Sequence, residues 1–521
     1  VLNGDNEAAI AALEGFIRDH PQDDRRKHVI LMLARAYDAS GDCARAITHY
    51  QGYLTYDTGL DDIVHEWIGD CHVAGGSLGD AVSHYQQALD AAGTRAAQVA
   101  LREEIADTHQ RQGDYAAAVA QYDAILAVAR PDSYRARMEY MAGQALAVNG
   151  QREDALARYR VAFQNYPEAE YGYLSLVELV DAGAEVGELQ RGLVDYHAGE
   201  IYPDAYGAAV LAFDRYLASD PTERADEALY YKALAQREGG DGAAALVTLD
   251  SLIDEHGTGT WFVPALLAKA ATLGSMGESG TAVEVYRDVA NRFPGDERAP
   301  KALWRAAKLR EGEGAHAQAA GLYEAVATGF PAFEDADEAV WRAGLGRYRA
   351  GETDRAIENW EMLLAGYPKS DFRYKSLYWL GKLGALPAQQ GSAGYWDQLL
   401  TAAPTDYYAL RVEQIRAGES LTATRLISAP VAALHWDPAL AQAEMLTWLG
   451  TWTGVPTETA SLSLPDALAR HPSLGRGQEL LAVGMRREAL DAVDNLLSVA
   501  WDDPLMLAPL AFYYREQGFH G

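Results

Sequence analysis

GDCARAITHY (Gly41–Tyr50) decides how the chain is read, because the same shape returns three more times. SLGDAVSHY follows Gly76, GDYAAAVAQY begins at Gly113, and GQREDALARY begins at Gly150. Each copy has a turn glycine, then an alanine about five residues on (Ala46, Ala81, Ala118, Ala155), then a tyrosine four further (Tyr50, Tyr85, Tyr122, Tyr159). After an irregular stretch the pattern resumes: Gly240, Gly277, Gly314 and Gly351 lie 37 residues apart, as do Ala245, Ala282, Ala319 and Ala356. Tyr286, Tyr323 and Trp360 continue the aromatic column, with Leu249 in the first of these copies.

Each position has a physical cause. Glycine ends one helix where positive φ is needed, since it has no Cβ to clash. Alanine lets two helices approach, and the aromatic residue four later lies on the same face and fills the gap. Pro294, Pro331 and Pro368 stop the second helix of a unit. The spacing therefore predicts stacked helical hairpins, slightly longer than the roughly 34 residues of a tetratricopeptide repeat. One hairpin cannot bury its own apolar stripe, so neighbours stack into a superhelix with an inner and an outer wall.

The expected fold is all-α: a tetratricopeptide-like superhelix (an α-solenoid) over residues 1–385, irregular at 168–205, followed by an irregular helical region over 386–521 packed on the array. In that last region Tyr395–Ala403, Thr405–Ala417, Pro438–Leu449 and Leu480–Val499 read as amphipathic helices.

The chain carries 75 acidic against 44 basic residues, a formal net charge of -31. Such a surface repels phosphate backbones and anionic lipid, so nucleic acid and polybasic membrane docking are excluded as partners. No run of apolar residues is long enough to span a membrane. Only Cys43 and Cys71 are present, with no metal-ligand spacing around them; no metal and no cofactor are expected. His65–Glu66 lacks the second histidine of a zinc-protease helix, since Gly69 stands there. No phosphate loop, nucleophile elbow or kinase signature occurs, so no catalytic residue is assigned.

The inner wall carries the informative pattern. The fifth residue of each first helix reads Tyr230, Leu267, Trp304, Trp341 and Tyr378, and the aromatic members are candidate contacts for glycan or peptide. In the N-terminal copies the same column and its neighbour read Glu66 with Asp70 and Glu103 with Asp107, so that half of the groove should be acidic.

SLYWLGKLGAL (376–386), a tryptophan helix at Tyr395–Leu400, and PTDYYALRVEQIRAGE (404–419) together resemble the linker region of soluble lytic murein transglycosylases. Tyr378, Trp379, Gly381 and Lys382 match one family pattern; Asp406, Tyr407, Tyr408, Ala409, Leu410 and Arg411 match the other. Lysine at Lys382 and valine at Val412 depart from it. ELLAVGMRREALDAVDNLL (479–497) and APLAFYYREQGFHG (508–521) are similar to helices flanking the family's catalytic domain. The resemblance implies the non-catalytic superhelical part of an exported, periplasmic or cell-envelope enzyme that cleaves peptidoglycan glycan strands. The family's Glu-Ser followed by G-L-M-Q is absent: Glu278–Ser279 lies in a repeat turn, and Glu419–Ser420 has no G-L-M-Q after it. A catalytic domain is expected after Gly521. The alternative is a free-standing tetratricopeptide scaffold for envelope or secretion proteins.

Overall fold

In the computed structural model, described over residues 6–56, 58–219, 221, 223–384, 393–418, 438–456 and 461–519, helix follows helix with no strand among the described residues. They form a tetratricopeptide solenoid of antiparallel hairpins, such as Arg26–Ala39 with Cys43–Tyr53 and Ala336–Arg349 with Thr353–Gly366. By internal contacts the chain divides into two units, residues 1–162 with 430–521, and residues 163–429.

The turn glycines take the conformation that the sequence predicts, from φ 73° at Gly314 to φ 90° at Gly240. Beside each, one backbone bond spans five residues: Asp42 N–H reaches Tyr37 O at 2.9 Å, and Glu352 N–H reaches Arg347 O at 2.9 Å. This closes the first helix by satisfying carbonyls that its last turn leaves open. Where aspartate follows the glycine it also caps the second helix, as Asp42 accepts from Arg45 N–H at 3.1 Å.

The alanine column is buried throughout, and so is the aromatic one: Tyr50 and Trp360 are both at 0% exposure. What the rings lie against was not read from the sequence. Sixteen residues before each ring, in the first helix, stands alanine or glycine: Ala34, Gly69, Ala106, Gly143, Ala270, Ala307 and Gly344, with Ala233 likewise before Leu249. A Cβ built on Gly69 would lie 2.5 Å from Tyr85, and one on Gly344 would lie 2.3 Å from Trp360. The ring occupies the volume of the missing side chain. Hydroxyls on these tyrosines are satisfied across the hairpin, Tyr50 donating to Asp38 at 3.0 Å and Tyr323 to Glu311 at 2.9 Å.

The irregular stretch contains a single helix, Glu170–Asp181, before the pair Glu188–Ala198 and Ala205–Ala218. That pair keeps the same contact over a longer loop, with Gly192 against Phe213. Residues 385–392 lie outside the described residues; beyond them Ala393–Ala402 and Tyr407–Arg416 pack on Arg373–Gly384.

One expected helix is corrected. Leu480–Val499 is not continuous: Pro472–Ala482 and Arg486–Asp494 form a hairpin broken at Gly484, whose φ is 83°. Met485 N–H reaches Leu480 O at 2.9 Å, Ala489 is buried, and Gly477 meets Val493 at 2.5 Å from its built Cβ. This is the repeat again, with valine in the aromatic position. It packs on the first repeats through Leu480, Ala489 and Ala492. Arg476 forms a two-pronged pair with buried Asp62 at 2.7 and 3.0 Å, and Glu479 accepts from His28 at 2.8 Å and pairs with Lys27.

Gly344→Ala should lower the unfolding free energy by roughly 1–3 kcal/mol through overpacking against Trp360. Gly314→Val should cost a similar amount, through its positive φ. Urea midpoints measure both, and an unchanged midpoint for Gly344→Ala would show that the ring does not set the helix separation.

Candidate functional site

The aromatic column faces occupied space more than open solvent. Tyr230, Trp304 and Trp341 are half-buried and Tyr378 is buried. Tyr230 stacks on Trp261 at 4.7 Å between ring centres, Trp304 meets Tyr323 edge-on at 5.2 Å, and Trp341 stacks on Trp360 at 5.6 Å and Phe372 at 6.1 Å. Trp304 and Trp341 thus pack within their own hairpins, against Tyr323 and Trp360, while Trp261 and Phe372 reach Tyr230 and Trp341 from the turn before the next hairpin. Two of these residues also accept an indole N–H through their backbone: Trp360 donates to Trp341 O at 3.4 Å and Trp396 to Tyr378 O at 3.0 Å.

The motif residues of 373–416 share one neighbourhood. Tyr378 contacts Trp379 and Tyr408, and Trp396 fills the space over Gly381. The Lys382 ammonium lies 4.5 Å from the Trp379 ring centre. Tyr407 projects outward at 65% exposure, and Arg411 donates to Gln414 at 3.2 Å. The motif thus holds a helix junction together, with Tyr407, Leu410 and Lys382 offered to solvent.

Of the four expected acidic residues, Glu66 and Asp70 stand together, and Glu104 joins them in place of Glu103 and Asp107. Glu103 is neutralised by Arg137, whose Nη2 reaches both carboxylate oxygens at 2.6 Å, and it also accepts from Tyr134. Its neighbour Glu104 points to the row instead. Glu66, Asp70 and Glu104 form no ion pair among the described residues, and their one side-chain bond is Tyr85 donating to Asp70 at 2.7 Å. Glu66 is pushed up to about 7 from an ordinary 4.5, first by burial and then by the charges of Asp70, Glu104 and Asp62. Loss of water and the neighbouring carboxylates raise Asp70 and Glu104 as well. Asp107 is exposed, 4.0 Å from Arg111.

In the same unit a cavity of about 1140 Å³ opens, floored by Leu31, Met32, Leu481 and Val483, with Arg35, Arg486, Arg487 and Glu488 in its lining. Arg35 stands over the Trp67 ring at 4.4 Å and pairs with Asp38 at 2.9 Å. An apolar floor with a few charged groups is a binding-site composition.

His65, His72 and His84 stack, with ring centres 5.3 Å apart in both pairs, and Nδ1 of His65 lies 3.0 Å from Nδ1 of His84. Burial holds His65 and His84 below the ordinary histidine range. Elsewhere in this unit Trp448 and Trp452, at 58% and 60% exposure, stack on one another at 5.1 Å. Sequence reading missed this pair; its signal is two tryptophans four apart on the helix Pro438–Thr453.

Tetratricopeptide-repeat family models match residues 31–96 and 104–170, and further ones match 227–258 and 338–370. No curated protein matches the chain. Among solved structures, MamA aligns with a TM-score of 0.26 at 18% identity, over 31% of this chain and 90% of that one. A tetratricopeptide repeat protein from Parabacteroides merdae aligns with a TM-score of 0.25 at 13% identity, over 50% and 91%. The C-terminal part of a repeat-containing protein from Cytophaga hutchinsonii gives 0.27 at 15% identity, over 50% and 95%. These likenesses concern the repeat and say nothing of what this chain binds.

Glu66 supplies a pH test. Its folded-state range is raised, so the fold binds more protons than the unfolded chain between about 4.5 and about 7. The group's contribution is favourable below that window and is lost as pH rises through it. Glu66→Gln should therefore stabilise the protein more at about pH 8 than at about pH 5, as read from urea midpoints. An equal effect at both would remove the raised carboxyl from the description.

Proposed function

We propose that this chain is a protein-binding scaffold whose N-terminal repeats receive a cationic segment of a partner. The observation that carries this reading is the row Glu66, Asp70 and Glu104: three carboxylates on two successive first helices, without an ion pair among the described residues, the charge of Arg35 acting on Asp70 while its side chain borders the apolar-floored cavity. A lysine or arginine placed among them relieves their mutual repulsion, and the cavity takes an apolar side chain of the same segment. Helical repeats supply a long, rigid surface for such a segment.

A lysine-rich synthetic peptide with one apolar anchor should bind the full chain and weaken as salt rises. Glu66→Gln with Glu104→Gln should weaken it roughly two- to thirtyfold, the range of two partly exposed ion pairs. Fluorescence anisotropy measures this, and equal binding of a glutamate-rich peptide would refute the reading.

A second reading keeps the resemblance to the superhelical region of lytic murein transglycosylases, with an exported location and glycan strands as the ligand. Its support is the tight joint packing of Tyr378, Trp396 and Tyr408 within the motif region and the exposed Trp448–Trp452 pair, a flat surface suited to a sugar ring. On this reading the chain orients glycan for a catalytic domain and cleaves nothing by itself. Purified chain incubated with murein sacculi should release no anhydro-muropeptides above blank; a Glu-Ser and G-L-M-Q encoded after Gly521 would favour this reading over the scaffold.

A further inference from the structure

The two cysteines are separated in sequence by 28 residues, which gives no metal-binding spacing, yet the fold brings them together. Asp38 ends the first helix of one hairpin, Cys43 opens its second helix, and Cys71 lies on the first helix of the next, Asp61–Ala74. One carboxylate oxygen of Asp38 and the two sulfurs all lie within 4.8 Å of one another. Both thiols are free; Cys71 is buried and Cys43 is partly open to solvent.

The carboxylate is already oriented. Its Oδ2 accepts from Arg35 at 2.9 Å and from Tyr50 at 3.0 Å, while Oδ1 faces the sulfurs, with Cys71 Sγ at 3.6 Å. This is how a ligating carboxylate is held by outer hydrogen bonds while its other oxygen stays available. Two sulfurs and a carboxylate oxygen around a tetrahedral zinc ion stand about 3.5–3.8 Å apart, given metal–ligand bonds of about 2.0–2.3 Å. Closing onto an ion thus takes side-chain movements of about 1 Å.

We infer that Asp38, Cys43 and Cys71 form a site for a thiophilic divalent cation, with zinc as the ligand chemistry it fits best. Both thiols ionise on binding: one M²⁺ and two S–H groups give two M–S bonds and release two protons to solvent. Asp38 adds the third ligand, and the partly open side at Cys43 leaves the fourth position to water or to a donor from a partner. The ion would tie the first hairpin to the second, immediately beside the acidic row. The inference stands whether or not that row binds a cationic segment.

Cobalt(II) is the probe. Full-length chain, reduced and kept anaerobic, should develop thiolate-to-cobalt charge-transfer absorption and the d–d bands of a tetrahedral ion, saturating at one equivalent, and zinc should abolish both. Cys43→Ser, at the more open position, should weaken cobalt binding at least tenfold, and Tyr50→Phe, which frees the outer hydrogen bond, about tenfold. Circular dichroism confirms that both variants stay helical, and Cys43→Ser should leave lysine-rich peptide binding unchanged. Absence of charge-transfer absorption while both thiols react with a chromogenic disulfide overturns the proposal. So does an unchanged cobalt spectrum in Cys43→Ser, or recovery of the two cysteines as a disulfide that small thiols do not reduce.

Discussion

A ring laid on a residue without a side chain sets the distance between the two helices of a hairpin. Gly69 under Tyr85, Gly143 under Tyr159 and Gly344 under Trp360 leave no space for even one methyl group. Because the contact recurs sixteen residues apart in each regular copy, each hairpin has nearly the same thickness, and stacking becomes a repeated operation. Interiors are packed closely enough that a single added carbon is felt. The turn glycine, its five-residue backbone bond and the buried alanine all serve to deliver the ring to that spot.

This explains which parts of the fold were legible. Gly41, Ala46 and Tyr50 stand out because glycine at positive φ and a buried aromatic are chemically demanding positions. Their partner column was invisible: Ala34, Ala106, Ala233, Ala270 and Ala307 are single alanines in an alanine-rich chain. The hairpin Pro472–Asp494 escaped for the opposite reason, since Val493 fills the gap over Gly477 with an aliphatic group and removes the aromatic mark. Its contacts with Asp62 and Lys27 join residues more than 400 positions apart, and no local pattern encodes such a pairing.

Binding features were legible in kind more than in detail. Acidic positions were expected at Glu66, Asp70, Glu103 and Asp107; Glu66 and Asp70 stand instead with Glu104, while Glu103 is paired with Arg137 and Asp107 lies near Arg111. Successive residues on a helix differ by about 100° in direction, so one position decides between a paired and an open carboxylate. Glu103 finds Arg137 on the next hairpin, and Glu104 does not. The aromatic column recurs along the repeat, and Trp261, Phe333 and Phe372, which enter from the inter-repeat turns, pack against its rings. A periodicity search that follows the helices overlooks such partners.

The two duties of a first helix are divided by angle. On Asp61–Ala74, Gly69 is spent on Tyr85, and Trp67, Ile68 and Cys71 are buried, whereas Glu66 has no ion-pair partner among the described residues and Asp70 keeps one bond to the second helix, from the Tyr85 hydroxyl. Packing fixes the backbone, and the remaining stripe is free to carry charges that oppose one another. Such repulsion costs stability, yet here it is confined to side chains at an open surface, where water and a cationic ligand both lower it. Burying the same three carboxylates in a hairpin interface would displace the ring contact on which the stack depends. The exposed stripe can therefore differ in charge from repeat to repeat, acidic at Glu66 and Glu104 in one unit and mixed at Arg342 with Glu311 in the other, while the hairpins themselves stay alike.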